Sequence, residues 1–581
     1  MRKTRIVCTM GPSTEKDGVL RQLVEHGMNI ARFNFSHGDY EEHRGRYEAL
    51  RKISAELSRP VAAMLDTKGP EIRLGLLKKG VEKLSSGQNF TLTTREVEGD
   101  DKIVSVTYKE LPRDVKTGGR IMLDDGLISL KIDKVTETDI ICTVENDGVI
   151  KNRKGVNVPG VHLSMPYMSA KDREDILFGI EMGFDLVSAS FTRCAQDILD
   201  IRNLIKEHDS GMRIIAKIEN QEGVDNIDEI LSVADGIMVA RGDMGVEIDF
   251  AEIPAIQKRL IDRAMAAGKI VITATQMLDS MMVNPRPTRA EITDVANAIY
   301  DGTTAVMLSG ETAAGKYPVE ALKAMAAIAD SAENESNYHN LVHRVQNGDR
   351  RMSVSEATAH AAATTAAHIR AAAIITVSQS GETARLLSSC RPETPIIACV
   401  MEESIQRRVN TYWGVKPLIM PYAHSTDEMI SMAVETAEKA GLIRAGDMVV
   451  VTAGVPVGVS GTTNMIKVHL VGNCLLSGVG IGSQNAKGRL CICRTLKDAE
   501  KKFMAGDILC TPYTNNDFLP YMRQAAGVIV EEGGTNNHAA IVGLTLDKAV
   551  IVGAVNALRV LKDGEHISMD CEHGLIQAML G

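Results

Sequence analysis

Aromatic side chains are scarce in this chain. They make up 4% of the 581 residues, and tryptophan occurs once, at Trp413. Core packing therefore rests on Ile, Val, Leu, Ala and the 28 methionines, whose flexible side chains fill irregular gaps. Cysteine is sparse as well, and the 10 cysteines include no CxxC pair and no Cys/His cluster with zinc spacing. Cys491 and Cys493 are two apart, which puts both on one face of a strand rather than on a ligating knuckle. Free thiols in a reducing cytosol are the simplest reading. No block of Lys and Arg is present, and a formal net charge of −10 argues against a general nucleic-acid binder. The Ala-rich stretch 357–377 is interrupted by His360, His368 and Arg370, so it reads as a helix running into a strand and not as a membrane span. The opening Met1-Arg2-Lys3-Thr4-Arg5 is followed by only a short apolar stretch, so no signal peptide is expected. The expectation is a soluble, cytoplasmic protein without a membrane partner.

What is present is a long α/β alternation. A chain of 581 residues predicts three or four domains. Short β-branched runs at 4–11, 28–37, 61–67, 185–192, 213–220, 236–243, 269–277 and 305–310 are each followed by a helical pattern, as in a (β/α)8 barrel. The gap after the third run holds strand patterns at 89–94, 102–108, 120–135 and 139–150, which predicts an all-β insert carried above the barrel rim. Beyond about Asn334 the runs 371–378, 395–400 and 448–453 predict a separate α/β layer domain, and a Gly- and Val-rich unit begins near Cys474. The expected boundaries are 1–70 with 167–334 for the barrel, 71–166 for the insert, 335–473 and 474–581.

The chemistry is concentrated at strand ends. Lys217 and Glu219 close an apolar run and share a face by the period of two, while Asp243 ends the next run. Ionisable groups on apolar strands are rarely buried unless paired or metal-bound. Two carboxylates with open positions suit Mg²⁺ or Mn²⁺ against an anionic substrate. Gly242 precedes Asp243 and allows close backbone approach. Arg32, Asn34 and Ser36 share a face, with His37 just beyond. The Arg suits a phosphate or carboxylate, and the neutral oxygens suit a monovalent cation. A surface Arg beside a turn is the alternative. Asp66 and Thr67 add two more oxygens, and Glu71 and Arg73 share a face beyond Gly69-Pro70, unless they form a salt-bridged loop. Thr275 offers a hydroxyl to order a water or relay a proton, or is simply structural.

Taken together these motifs resemble the pyruvate kinase family. Ile214–Asn220 stands as its catalytic-lysine signature. Segments 31–38, 66–73, 123–126, 154–160 and 240–243 stand where the family has them, and the resemblance covers about residues 1–472. It implies transfer of the phosphoryl group of phosphoenolpyruvate to ADP, giving pyruvate and ATP, the last step of glycolysis. It implies that Lys217 neutralises charge on the transferring phosphoryl group and the enolate oxygen. It implies that Glu219 and Asp243 hold Mg²⁺, that Arg32 and Ser190 steady the phosphate, and that backbone near Gly242 receives the substrate carboxylate. By the same resemblance Asn34, Ser36, Asp66 and Thr67 cage K⁺, with Glu71 as the residue of K⁺-dependent members. Asn34, His37, Arg73 and Lys154 contact the nucleotide, and Thr275 supports enolate protonation. A homotetramer is implied.

The third domain resembles the family's effector domain. Ser378, Ser380, Gly381 and Thr383 run from strand to helix N-terminus, a natural phosphate site for a sugar phosphate or nucleotide monophosphate effector, or else an ordinary capped helix. Residues 474–581 resemble the phosphohistidine domain of phosphoenolpyruvate-utilising enzymes, with His538 as the possible phosphohistidine. Asn536-Asn537 precede it where that family commonly has Thr-Ser, and no ATP-grasp partner is evident, which favours a structural or regulatory relic. The expected fold is therefore α/β: a (β/α)8 TIM barrel with an inserted all-β domain, an α/β effector domain and a C-terminal swivelling phosphohistidine-like β/α domain. A dikinase-like phosphotransferase using His538 and a non-catalytic sensor are the competing function classes.

Overall fold

The computed structural model describes residues 2–335, 352–423, 425–455, 463–472 and 474–579. Eight strands form a closed barrel: β1 Arg5–Thr9, β2 Ile30–Asn34, β3 Ala62–Asp66, β4 Leu186–Ala189, β5 Arg213–Ile218, β6 Gly236–Ala240, β7 Ile270–Ala274 and β8 Ala305–Leu308. All neighbours run parallel, in the order β1-β8-β7-β6-β5-β4-β3-β2. Each lies inside its expected run. Strands β1, β3, β4, β6, β7 and β8 are buried along their whole length, as Val, Ile, Leu and Ala runs must be when helices cover a parallel sheet. Helix starts follow local chemistry. Ser169 with Asp172 and Thr288 with Glu291 form capping boxes ahead of helices Ala170–Met182 and Arg289–Tyr300.

Every barrel strand ends one to three residues short of its expected run, and two of these ends set the positions of Asp243 and Thr275. The run 236–243 leaves the sheet at Ala240, and Arg241–Glu247 is helical, so Gly242 and Asp243 stand in a helical first turn. The Arg241 guanidinium fixes that turn by bonding to Asp294 and to the Ala274 and Thr275 carbonyls. The run 269–277 ends at Ala274, because Thr275 and Gln276 adopt left-handed backbone at φ 66° and 53°. A β-branched residue rarely tolerates that conformation.

Between β3 and β4 lies the insert, a seven-stranded sheet with a separate two-stranded antiparallel sheet of Val81–Leu84 and Gly148–Lys151. Its own core includes Phe90, Leu92, Ile121, Leu130 and Cys142. The run 120–135 is two strands, Arg120–Leu123 and Ile128–Val135. Asp124, Asp125 and Gly126 reverse the chain between them at φ 53°, 54° and 86°. The run 139–150 is likewise split into Asp139–Val144 and Gly148–Lys151.

By packing, the chain divides into two compact units. The first is Met1–Ser353 with Gln379–Glu393 and Val400–Ile419, and holds the barrel and insert. In the second, strands Ile396–Val400, Ala373–Val377 and Met448–Gly454 are parallel neighbours and Thr463–Leu470 pairs antiparallel. Helix Val354–His368 runs into Ala373–Val377, as the Ala-rich stretch predicts. An eight-stranded sheet built from residues 474–578 completes this unit. Among the described residues no helix is long and apolar enough to cross a membrane.

Candidate active site

The C-terminal end of β5 brings Lys217 into the barrel mouth, and Glu219 follows just past the strand. They are 7% and 0% exposed. Lys217 Nζ donates to Ser190 Oγ at 2.7 Å and stands 2.9 Å from Glu219 Oε1 and 3.3 Å from Asp66 Oδ1. Arg32, from β2, pairs through Nε with Asp66 Oδ2, and its Nη1 donates to Thr9 Oγ1 at 3.1 Å. Burial works against the Lys217 ammonium, yet Asp66, Glu219 and Asp243 together hold its pKa above the ordinary lysine value. Burial also opposes the Asp66 charge, and Arg32 and Lys217 overcome it to keep that carboxyl below its usual range. Glu219 is pushed the other way. Burial raises it, and nearby Asp243 adds to the rise against the pull of Lys217.

These groups open into one cavity of about 310 Å³ between the barrel mouth and the insert. Arg32, Ser190, Lys217, Glu219 and Asp243 line it from the barrel. Asn34, Ser36 and His37 line it from the end of β2 and the turn beyond, and Arg73 and Lys154 come from the insert. Both insert cations are held by acids: Arg73 Nε lies 2.8 Å from Glu71 Oε2 and Lys154 Nζ 2.7 Å from Asp124 Oδ1. Asp66 and Thr67 lie beneath the lining. Asp66 is occupied by Arg32, Lys217 and Ser190, while Thr67 Oγ1 donates to the Ser188 carbonyl at 3.2 Å and accepts from Ser190 N at 3.2 Å. Thr275 Oγ1 accepts from Gly242 N at 2.8 Å and donates to the Ala274 carbonyl at 2.6 Å, so it braces the turn that carries Asp243.

The donor set fits a divalent cation. Glu219 Oε2 accepts from Phe191 N, whereas the buried Oε1 has no aligned hydrogen bond and faces only the ammonium. Asp125 joins from the insert, its carboxyl raised by burial and by Asp124 and Asp243. Among the described residues no three His, Cys, Asp or Glu side chains form a closed metal cage. Carboxylates with open positions are what Mg²⁺ or Mn²⁺ uses when substrate oxygens complete its shell. Phe191 and Asp125 are among the lining groups that sequence periodicity does not reveal, with Lys68 and Asp124. Phe191 sits at φ 54°, a backbone state that no residue pattern announced.

Outside this cavity, Ser380 and Gly381 precede helix Glu382–Ser389, with Gly381 as its N-cap at φ 79°. Ser378 follows strand Ala373–Val377 of the second unit. His538 is the first residue of helix His538–Thr545, whose start is capped by Asn537. Its Nδ1 lies 2.9 Å from Thr514 Oγ1 and its Nε2 3.2 Å from Asn516 Oδ1.

Comparison with known proteins places these features in a family. Residues 1–322 match the family model "Pyruvate kinase, barrel domain", residues 356–469 "Pyruvate kinase, alpha/beta domain" and residues 503–574 "PEP-utilising enzyme, mobile domain". The pyruvate kinase of Geobacillus stearothermophilus is 50% identical over 578 residues, 99% of this chain and 98% of that protein. The pyruvate kinase of Bacillus licheniformis is 48% identical over 99% of both chains. A crystal structure of a pyruvate kinase from Cryptosporidium parvum superimposes with a TM-score of 0.77 at 39% identity, covering 81% of this chain and 96% of that one. With a lysine, an arginine and two carboxylates converging at the mouth of its barrel, this chain belongs to the pyruvate kinase family.

Proposed function

We infer that Lys217, Arg32, Glu219 and Asp243 carry the reaction of this family, transfer of the phosphoryl group of phosphoenolpyruvate to ADP with formation of pyruvate and ATP. The convergence of the Lys217 ammonium with two carboxylates on one cavity carries this reading. Phosphoryl transfer asks for positioning and charge neutralisation more than for covalent chemistry. Lys217 would offset charge on the transferring group and then on the enolate oxygen left behind. Arg32, on the other oxygen of the Asp66 carboxylate that Lys217 meets, would hold the phosphate, and Ser190 would fix the ammonium. Glu219 and Asp243 would hold Mg²⁺ or Mn²⁺, which when bound supplies further neutralisation of substrate oxygens. Asn34 and Ser36, with Asp66 and Thr67 beneath them, are the oxygens assigned to K⁺. Arg73, Lys154, Asn34 and His37 would meet the nucleotide phosphates, the first two by exchanging Glu71 and Asp124 for them. Closure of the insert would exclude water and favour ADP as acceptor over hydrolysis. Thr275 acts on Asp243 through the Gly242 amide it accepts from, and the enolate-protonation role rests on the resemblance.

The family resemblance also supports a phosphorylated effector at the 378–383 loop, a homotetramer and a cytoplasmic location. A coupled assay of ADP-dependent pyruvate formation, run with and without Mg²⁺ and K⁺, tests the reading. Activity requiring both ions is expected. Pyruvate formation that needs AMP and phosphate or pyrophosphate would transfer the function to a dikinase-like reaction at His538.

A further inference from the structure

At the N-terminal mouth of the barrel, opposite the transfer cavity, the starts of β4, β5 and β7 border a second cavity of about 200 Å³. Four cations wall it: Arg213, Lys269, Arg385 and Arg408. Its two carboxylates are already engaged. Asp235 Oδ1 meets Arg213 Nη1 at 3.1 Å, and its Oδ2 meets Arg202 Nη2 at 2.8 Å and accepts from Ile214 N at 2.9 Å. Glu382 is paired with Arg385 at 2.6 Å.

Lys269 and Arg408 are left with backbone carbonyls only. Lys269 Nζ donates to the Ala234 carbonyl at 2.8 Å, and Arg408 Nη2 donates to the Gly211 carbonyl at 2.8 Å. The Nε atoms of both Arg213 and Arg408 are buried and have no acceptor. Burial lowers the pKa of both Lys269 and Arg408; Asp235 opposes the shift at both, while Arg385 presses further on the lysine and Arg213 on the guanidinium. Two partly buried cations without a salt-bridge partner of their own, beside two orphaned N–H donors, are costly unless an anion completes them. Guanidinium forks and an ammonium are the donors that tetrahedral oxyanions select.

We propose that this cavity, walled by Arg213, Lys269, Arg385 and Arg408, binds a tetrahedral oxyanion of the phosphate class at a site separate from the phosphoryl-transfer cavity. The anion would accept from Nε of Arg213 and Arg408 and from Lys269. It would thereby join the feet of β5 and β7 to helix Glu382–Ser389 and the segment around Arg408 within the first unit.

Crystals of the intact protein soaked in selenate, a phosphate surrogate with an anomalous signal, are expected to show selenium within hydrogen-bond reach of Arg213 and Arg408. Calorimetric titration with inorganic phosphate at fixed ionic strength is expected to reveal a site weakened at least tenfold by Arg408→Gln and by Lys269→Gln. Phosphate held at the transfer cavity is unaffected by either change, so the two events separate. Repeating the titration with glycerol 3-phosphate distinguishes an ester-accepting site from one closed over the free anion; the same variant sensitivity supports the site in either case. If Arg408→Gln does not fold, Lys269→Gln carries the test. Selenium absent from this cavity, or phosphate titrations unchanged in the folded variants, overturns the proposal.

Discussion

Ser190 Oγ accepts a hydrogen bond from Lys217 Nζ at 2.7 Å while donating to the Thr67 carbonyl at 2.6 Å. The hydroxyl, 1% exposed, is thus a fixed relay between the ammonium and the backbone after β3. Ser190→Ala leaves Lys217 tied only to carboxylates, free to swing toward Asp66 and away from substrate. Supporting partners of this kind are typically worth about 10–100-fold in activity. We expect kcat to fall in that range with KM for phosphoenolpyruvate changed less, and Ser190→Thr to restore part of the loss. A change confined to KM, or no rescue by threonine, would contradict the positioning role.

Lys217→Met should act on two levels. Losing one electrostatic stabiliser of a transition state costs about 10²–10³-fold in turnover. It also strands Glu219 and weakens the compensation of Asp66, both 0% exposed. Removing one partner of a buried charge pair costs about 3–5 kcal/mol. Urea unfolding should therefore show a less stable variant, and Mg²⁺ should recover more stability there than in the parent because the ion takes over the missing positive charge. Normal turnover in a folded Lys217→Met protein would remove Lys217 from the mechanism.

Glu219→Gln and Asp243→Asn each remove one charged oxygen donor while keeping shape. Outer partners of metal ligands alone are worth roughly 10–100-fold in affinity, so a direct ligand should cost at least as much. Titration of free Mn²⁺ followed by electron paramagnetic resonance reads this without turnover. Both variants are expected to bind Mn²⁺ at least tenfold more weakly. Parent-like Mn²⁺ binding in either variant would assign the ion elsewhere.

His538 is held at both ring nitrogens, by Thr514 and Asn516. A phosphoryl group on Nε2 would have to displace the Asn516 contact, and Asn536-Asn537 stand where Thr-Ser is common in phosphocarriers. His538→Ala is therefore expected to leave ADP-dependent pyruvate formation intact, and incubation with phosphoenolpyruvate to leave no acid-labile phosphate on His538. Detection of that phosphate reverses the ranking and makes the C-terminal sheet a carrier.

The barrel was legible because its strands are apolar on both faces, so runs such as 61–67 and 305–310 stand out against amphipathic helices. Lys217 and Glu219 stood out for the same reason, as charges closing a run whose middle, Ile214-Ile215-Ala216, is wholly apolar. What the residue pattern could not give is where a strand yields to its loop. Asp243 reaches the cavity from a helical turn braced by Arg241 and Thr275, contacts that join residues 33 and 34 positions apart. The period of two says nothing about such contacts. The positive φ of Phe191 and Thr275 is equally silent, since neither is a residue type that favours it. Nor did the pattern separate Asp66, buried under three partners, from Asn34 and Ser36, which reach the cavity wall.

His43 gives the barrel a pH dependence with a defined sign. Its ring stacks on Phe35 at 4.1 Å between centroids, Nε2 lies 3.0 Å from the His37 carbonyl, and Nδ1 is buried without a partner. Burial lowers its pKa to about 4; Arg46 and Lys171 push the same way, while the His37 carbonyl and Asp39 oppose. The folded state therefore keeps the ring neutral where an unfolded chain, with an ordinary histidine pKa of about 6.5, has already taken up a proton. Below about pH 6.5 the unfolded state binds more protons than the folded one, so stability falls as pH drops. The slope approaches about 1.4 kcal/mol per pH unit and levels off once the folded ring also protonates near pH 4. His43→Phe keeps an aromatic ring on Phe35 and removes the titration. Denaturant melts at pH 7, 6 and 5 should show a shallower loss of stability in the variant than in the parent, and equal slopes would mean that the acid sensitivity of this fold arises from other groups.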